Sequence, residues 1–193
     1  MCRNDVPGFL AARTYADQFH GVLQKAFSQD ILSSDGWTLV AVGGFGRGEL
    51  SFASDLDLLF LHRKRMPRVL QDIVRELNYG LWDSGFEVGH VTASLSAVKR
   101  LTGDDFTVLT NYLETRFIAG DPSLYDEWRK SFLKGFGTQS RRRFLRNLTA
   151  YREGRLQQYG ESSYLLEPHV KEGVGGLRDV HIMRWAAIGY LLD

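Results

Sequence analysis

Two closely spaced aspartates that follow a glycine-rich turn are the strongest chemical signal in the sequence. Asp55 and Asp57 are separated by one residue, so on an extended strand their side chains point to the same face. Two carboxylates that close repel each other unless a cation lies between them. Hard divalent cations such as Mg²⁺ bind oxygen ligands and usually bring substrate phosphates with them. The pair therefore predicts a metal site that works on a phosphate-containing substrate.

The glycines upstream of this pair indicate a phosphate-binding turn. An apolar segment ends in Gly43 and Gly44, whose bare backbone N–H groups can approach a phosphate closely. Arg47 could make a bidentate contact with a triphosphate, or it could be a surface arginine paired with Glu49. Ser54 could donate a hydrogen bond to a phosphate, or it could simply shape the turn. The turn and the two carboxylates together predict a nucleotidyl-transfer site.

A third carboxylate is expected on a neighbouring strand, because a two-metal site usually needs more than two acidic ligands. Glu87 is the candidate. Phe86 and Val88 flank it and would face the core, so strand alternation would turn Glu87 the other way. The alternative is a solvated glutamate on an edge strand.

The same residues resemble a known family. Gly-Gly-x-Gly-Arg-Gly-Glu-Leu at 43–50 and Ser-Asp-x-Asp at 54–57 are similar to the nucleotidyltransferase superfamily that includes DNA polymerase beta. The closer resemblance is to the bacterial PII-protein uridylyltransferases, and it runs from about Trp37 to the C-terminus. Three further segments support that closer match: 81–90, 113–121 and 166–181.

The resemblance implies both a fold and a reaction. The implied fold class is α+β, with a small mixed-sheet core of the polymerase-beta type followed by a helical domain. The implied reaction is Mg²⁺- or Mn²⁺-dependent transfer from an NTP, UTP by resemblance, to a tyrosine of a PII-type nitrogen regulatory protein, with release of pyrophosphate. The residues that match the family pattern are Asp55, Asp57 and Glu87 as catalytic metal ligands, and Gly43, Gly44, Arg47 and Ser54 as nucleotide-binding residues.

Other functions stay open at the level of sequence. The chain could transfer AMP, as the glutamine synthetase adenylyltransferases do, or it could resemble the nucleotidyltransferases linked to cystathionine-synthase-type regulatory domains. It could also be a non-catalytic nucleotide-sensing module, although the intact Asp55, Asp57 and glycine pair argue against that reading. No residue type in the sequence selects uracil.

Composition restricts the function classes further. The 193 residues are 44% hydrophobic and 24% charged, which is ordinary for a globular protein that is not embedded in a membrane. A formal net charge of +1 provides no basic field for nucleic acid. The single cysteine, Cys2, excludes an intrachain disulfide and favours a cytoplasmic location. No apolar run is long enough for a membrane span.

Hydrophobic periodicity predicts the elements that position these residues. We expect an N-terminal helix in 1–34, the nucleotidyltransferase core in 35–100 and a helical domain in 101–193 with a glycine-rich loop at 160–176. The chain ends within an apolar helical pattern, which suggests a fragment of a longer protein. Strands are predicted at 37–42, 56–62 and 86–92, a short helix or turn at 44–50, and helices at 9–32, 67–82, 94–100, 104–118, 122–134, 138–158 and 178–192.

A second glycine pair precedes the last predicted helix. Gly175 and Gly176 could form another anion-binding turn, and Arg178 and Asp179 in the following turn could bind nucleotide or lock the loop in place. The residue types do not decide between these roles.

Overall fold

A computed structural model describes residues 7–27, 36–66, 68–135, 138–159 and 169–191. The chain divides into two compact units, residues 1–129 and 130–193. Residues 101–129, which the sequence assigned to the helical domain, therefore lie in the same unit as the sheet.

The first unit is built on a mixed four-stranded sheet. Its strands are β1 Trp37–Val42, β2 Leu56–His62, β3 Val88–Ser94 and β4 Thr115–Gly120, in the spatial order β3-β2-β1-β4. Strand β1 is antiparallel to both β2 and β4, whereas β2 and β3 are parallel. A helix connects β2 to β3, as a parallel pair of neighbouring strands requires. The α+β class is confirmed.

Helices account for most of the remaining described residues. They are α1 Gly8–Phe27, α2 Gly43–Arg47, α3 Arg68–Asp83, α4 Leu95–Asp104, α5 Phe106–Leu113, α6 Pro122–Lys134, α7 Thr138–Tyr159 and α8 Leu177–Leu191. Within the parts of the chain that the structure describes, no helix is both long enough and apolar enough to cross a bilayer.

The sheet is buried on both faces at its centre. Alternate residues of β1 and β2, such as Leu39 and Leu58, pack in one core cluster with α1 and α3. The intervening residues Val40, Leu59 and Leu61 are buried as well, outside that cluster. Burial of both faces explains why β1 and β2 read as continuous apolar runs rather than as alternating patterns.

Sequence periodicity located β1 and β2 at their observed bounds, and β3 within two residues. The prediction of one helix over 104–118 is wrong, because α5 ends at Leu113 and the next residues form β4. The segment from Thr115 to Gly120 contains two β-branched residues, Thr115 and Ile118, and the aromatic Phe117. These residue types favour a strand. Within α1, the apolar residues Phe9 and Val22 are more than half exposed. The predicted helix residues 28–32, Pro67 and the loop residues 160–168 lie outside the described residues.

The second unit contains α7 and α8, which pack through buried aromatic and aliphatic side chains. Gly189 lies so close to Phe144 that a β-carbon on Gly189 would be 2.7 Å from the ring. Arg155 of α7 is buried and donates hydrogen bonds to the backbone carbonyls of Glu172 and Gly173, and also to the carboxylate of Asp179. These bonds hold the described part of the glycine-rich loop against α7, which favours the locking role for Asp179.

Candidate active site

The carboxylate of Asp57 lies between two glycines. Asp57 is the second residue of β2, is half-buried, and is paired in register with Gly89 of β3. A β-carbon on Gly89 would lie 2.8 Å from Oδ1 of Asp57, and one on Gly43 would lie 3.2 Å from Oδ2. The missing side chains at these two positions therefore create the space that the carboxylate occupies.

Gly43 joins the end of β1 to the short helix α2. Its backbone φ is +58°, in the left-handed region that glycine adopts without the steric cost of a β-carbon. Gly44 follows within α2, and the Nη2 atom of Arg47 lies 3.6 Å from the position of a β-carbon on Gly44. The structure thus places Gly43 beside Asp57, and Gly44 beside the guanidinium group of Arg47.

The side chain of Arg47 is largely buried, and its guanidinium group is paired with two carboxylates. Nε donates to Glu49 at 2.9 Å and Nη1 donates to Glu114 at 2.5 Å. Only 9% of the Arg47 side chain and 2% of the Glu114 side chain are exposed. The sequence analysis considered a pairing of Arg47 with Glu49 as one alternative. It did not predict the second partner, Glu114, which is 67 residues away in sequence. A contact of Arg47 with a triphosphate stays a prediction.

Ser54 belongs to a solvent-exposed turn. Its Oγ atom is 2.7 Å from Oγ of Ser51 and accepts a hydrogen bond from the Ser51 backbone N–H at 3.3 Å. In this arrangement Ser54 shapes the turn that leads into Asp55. Its predicted contact with nucleotide is not tested by these bonds.

Asp55 and Glu87 lie side by side at the end of the parallel strand pair. Each is exposed and each immediately precedes its strand. The backbone N–H of Leu56 donates to the carbonyl of Glu87 at 2.8 Å, and Leu56 is in register with Val88. The backbone therefore brings all three predicted acidic residues to one end of β2 and β3.

The oxygen ligands suit a hard cation, but their side chains do not converge. Among the described residues, no three His, Cys, Asp or Glu side chains are grouped closely enough to hold a metal ion. Asp55 and Glu87 are exposed, so a packed core does not hold their side chains in place. The backbone register fits a metal held by these three carboxylates, and the ligand set itself stays a prediction.

Helix α5 contributes two residues to the site that sequence reasoning missed. The Oδ1 atom of Asn111 lies 3.4 Å from the same β-carbon position on Gly43 that Asp57 approaches. The next residue, Tyr112, is 3% exposed, and its hydroxyl has no hydrogen-bond partner among the described residues. Burial, together with the negative charge of Asp57, raises the pKa of Tyr112 to about 12. The sequence signal was weak: an asparagine in a short helix that has no charged residue.

Comparisons with known proteins locate similarity in both units. The family model described as GlnD PII-uridylyltransferase matches residues 143–190, which lie in the second unit. A bifunctional uridylyltransferase/uridylyl-removing enzyme from Rhodospirillum rubrum is 42% identical over 150 residues, which are 78% of this chain and 16% of that enzyme. Enzymes of the same description from Erythrobacter litoralis and Bradyrhizobium sp. are 39% identical over 153 residues and 37% identical over 177 residues.

The match to the Bradyrhizobium enzyme spans the candidate site. It covers 89% of this chain, so in a chain of 193 residues it necessarily includes positions 43 to 114. It covers 19% of that enzyme, and the Erythrobacter match covers 17%. The chain thus spans less than a fifth of the length of these curated relatives.

Proposed function

Because this chain carries a PII-uridylyltransferase-like domain, we propose that it transfers a uridylyl group from UTP to a tyrosine hydroxyl of a PII-type nitrogen regulatory protein. The hydroxyl oxygen attacks the α-phosphorus, the bond to the bridging oxygen breaks, and pyrophosphate leaves. A cytoplasmic setting is part of this proposal, and neither nucleic acid nor a membrane takes part in it.

The observation that carries the proposal is the position of Asp57. Its carboxylate lies against the left-handed glycine at the start of α2 and against Gly89 of the neighbouring strand. This geometry sets a negative charge directly beside the turn whose backbone N–H groups would receive a phosphate. A carboxylate beside a phosphate is strongly repulsive without a cation, so the arrangement suits a metal–nucleotide substrate.

We propose that Asp55, Asp57 and Glu87 hold Mg²⁺, for which Mn²⁺ can substitute. When bound, the metal would lower the pKa of the acceptor hydroxyl and neutralise charge on the leaving pyrophosphate. Asp57 is fixed in the sheet, whereas the exposed Asp55 and Glu87 can turn toward it when the nucleotide arrives. The triphosphate completes a ligand set that the three carboxylates alone leave open.

The protein's own contribution is to position the substrate. We propose that the backbone N–H groups of Gly43 and Gly44 hold the β- and γ-phosphates, with Ser54 beside them. Arg47 lies beside Gly44, where its Nη2 atom can contact a phosphate while Nε and Nη1 stay bonded to Glu49 and Glu114. A charge held by two carboxylates cannot follow the departing pyrophosphate, so its orientation is fixed before the reaction.

The direct test supplies the chain with Mg²⁺, a purified PII-type protein and UTP labelled at the α-phosphorus. Label should appear on the acceptor, whereas UTP labelled at the γ-phosphorus should leave the acceptor unlabelled. The same assay with ATP, GTP and CTP measures base selection. Preferential transfer from ATP would indicate an adenylyltransferase, and tight UTP binding without transfer to any acceptor would indicate a nucleotide sensor.

We propose further that this chain adds uridylyl groups but does not remove them, although its relatives are described as bifunctional. Metal-dependent hydrolysis needs clustered histidines and carboxylates, and the five histidines here are widely separated in sequence. Incubation of a uridylylated acceptor with the chain and metal, without pyrophosphate, should release no UMP. Release of UMP would reveal a second active site within these residues.

A further inference from the structure

Helix α5 directs an asparagine into the glycine turn without giving it a protein partner. The Asn111 side chain and the Asp57 carboxylate both lie within 3.4 Å of one point beside Gly43. Asn111 is half-buried, and no hydrogen bond within the described parts of the chain involves its side-chain amide. An amide can donate two hydrogen bonds and accept two, so its placement here leaves that capacity for a ligand.

The helix that carries Asn111 is fixed at both ends. At its start, Asp105 accepts hydrogen bonds from the backbone N–H groups of Thr107 at 2.7 Å and Val108 at 3.2 Å. At its end, Arg129 donates to the carbonyls of Tyr112 at 3.1 Å and Leu113 at 2.9 Å. A side chain on a helix capped in this way is positioned far more closely than one on a loop.

The charge of the neighbouring groups determines what Asn111 can bind. A lysine or arginine at this place would pair with Asp57 and compete with a cation for its oxygens. A neutral amide can instead donate N–H groups to a phosphate while leaving the carboxylate available to metal. Oδ1 of Asn111 faces Gly43 in the structure, and a half-turn of the amide about the Cβ–Cγ bond brings the nitrogen to the same place. Phosphate oxygens offer only acceptors, so the amide nitrogen is the atom that suits them.

We infer that Asn111 is a further substrate-positioning residue, whose amide donates a hydrogen bond to a phosphate oxygen of the nucleoside triphosphate held at the Gly43 turn. This inference rests on the proposed function, since it assigns one more contact to the same site. With Asn111 included, the site is formed by three parts of the fold: the glycine turn, the paired ends of β2 and β3, and helix α5.

The test is calorimetric binding of a UTP analogue that carries a methylene group between the α- and β-phosphorus, in the presence of Mn²⁺. We expect the Asn111→Ala variant to bind the analogue about tenfold more weakly than wild type, the usual effect of losing a hydrogen bond to a charged group. Asn111→Asp has nearly the same shape but replaces donors by a negative charge, so it should bind more weakly still. Asn147→Ala, an exposed asparagine in α7, is the matched control and should bind as wild type does.

Melting temperature without ligand shows that each variant is folded, because a half-buried amide with no partner contributes little to stability. If Asp57→Asn abolishes binding of the analogue but Asn111→Ala binds it as tightly as wild type does, the role of Asn111 is overturned and the proposed function is kept. Tighter binding by Asn111→Asp would also overturn it, because it would place the side-chain oxygen on the metal. Absence of binding by wild type to any metal–NTP analogue would reject the proposed function together with this inference.

Discussion

Replacement of Gly89 by alanine should impair transfer while it leaves the fold intact. Gly89 lies in β3 opposite Asp57, and its backbone φ is outside the left-handed region, so alanine fits the strand without backbone strain. The added methyl group would nevertheless sit 2.8 Å from Oδ1 of Asp57. Ordinary contacts of a β-carbon begin near about 3.4 Å, so the carboxylate must move by about half an ångström or more.

That displacement sets the expected magnitude. A misplacement of about 1 Å at a reacting centre costs up to about 10²-fold in rate, so we expect transfer by Gly89→Ala to fall by about tenfold to a hundredfold. Loss of glycine's freedom in the unfolded chain stabilises the fold by about 0.4–1 kcal/mol, and crowding of Asp57 offsets part of this. The free energy of unfolding should therefore change by less than about 1 kcal/mol.

The assay measures initial rates of UTP-dependent labelling as a function of Mg²⁺ concentration, together with urea unfolding. Gly80→Ala is the matched control, because a β-carbon at Gly80 in α3 meets no atom within 4 Å. The control should transfer at the wild-type rate and be stabilised by up to about 1 kcal/mol. A Gly89→Ala protein with wild-type rate and wild-type Mg²⁺ dependence would refute the assignment of Asp57 as a metal ligand positioned by Gly89.

Three other outcomes concern the metal and the second unit. Mg²⁺ and UTP together should raise the melting temperature while neither does so alone, because the triphosphate completes the metal ligands; tight calorimetric binding of UTP without metal would contradict this. Arg155→Ala should lower the free energy of unfolding by about 3 kcal/mol, since Asp179 and two carbonyls lose their buried donor, whereas the exposed Arg152→Ala should change it by under about 0.5 kcal/mol in urea titrations. Burial alone would raise the pKa of Glu172, but hydrogen bonds and charge from Arg178 outweigh it and lower that pKa below 4.5. This stabilisation is fully present above pH 4.5 and is lost as the pH falls through the lowered pKa. In Arg178→Ala, the free energy of unfolding measured by urea titration should therefore fall less steeply as the pH decreases through this range.

Local patterns in the sequence were sufficient where one segment determines its own structure. Strands β1 and β2 are apolar runs bounded by turn residues, and the glycines after β1 indicated the turn at which α2 begins. Strand β4 was missed because its six residues begin one residue after α5 ends, and its pairing with β1 is not visible in the local pattern. The separate helices predicted at 94–100 and 104–118 anticipated the break between α4 and α5, where the side chain of Asp105 caps the start of α5.

The sequence could nominate acidic residues and glycines for the candidate site, but it could not show which other residues lie beside them. Glu114 and Asn111 reach the turn from more than 60 residues away, through the pairing of β4 with β1 and the placement of α5 before it. Such contacts depend on how the whole sheet is assembled. Spacing within one segment contains no information about them.

The most direct test of the central claim compares wild type with Asp57→Asn in the labelled-UTP transfer assay at saturating Mg²⁺. Asparagine keeps the shape of the side chain but removes the charge that would hold the metal. We expect the transfer rate to fall by at least about 10²-fold, while the melting temperature stays the same or rises because repulsion among the carboxylates is eased. Transfer by Asp57→Asn at a rate near that of wild type would contradict the claim that this carboxylate and its glycine neighbours form a metal-dependent nucleotidyl-transfer site.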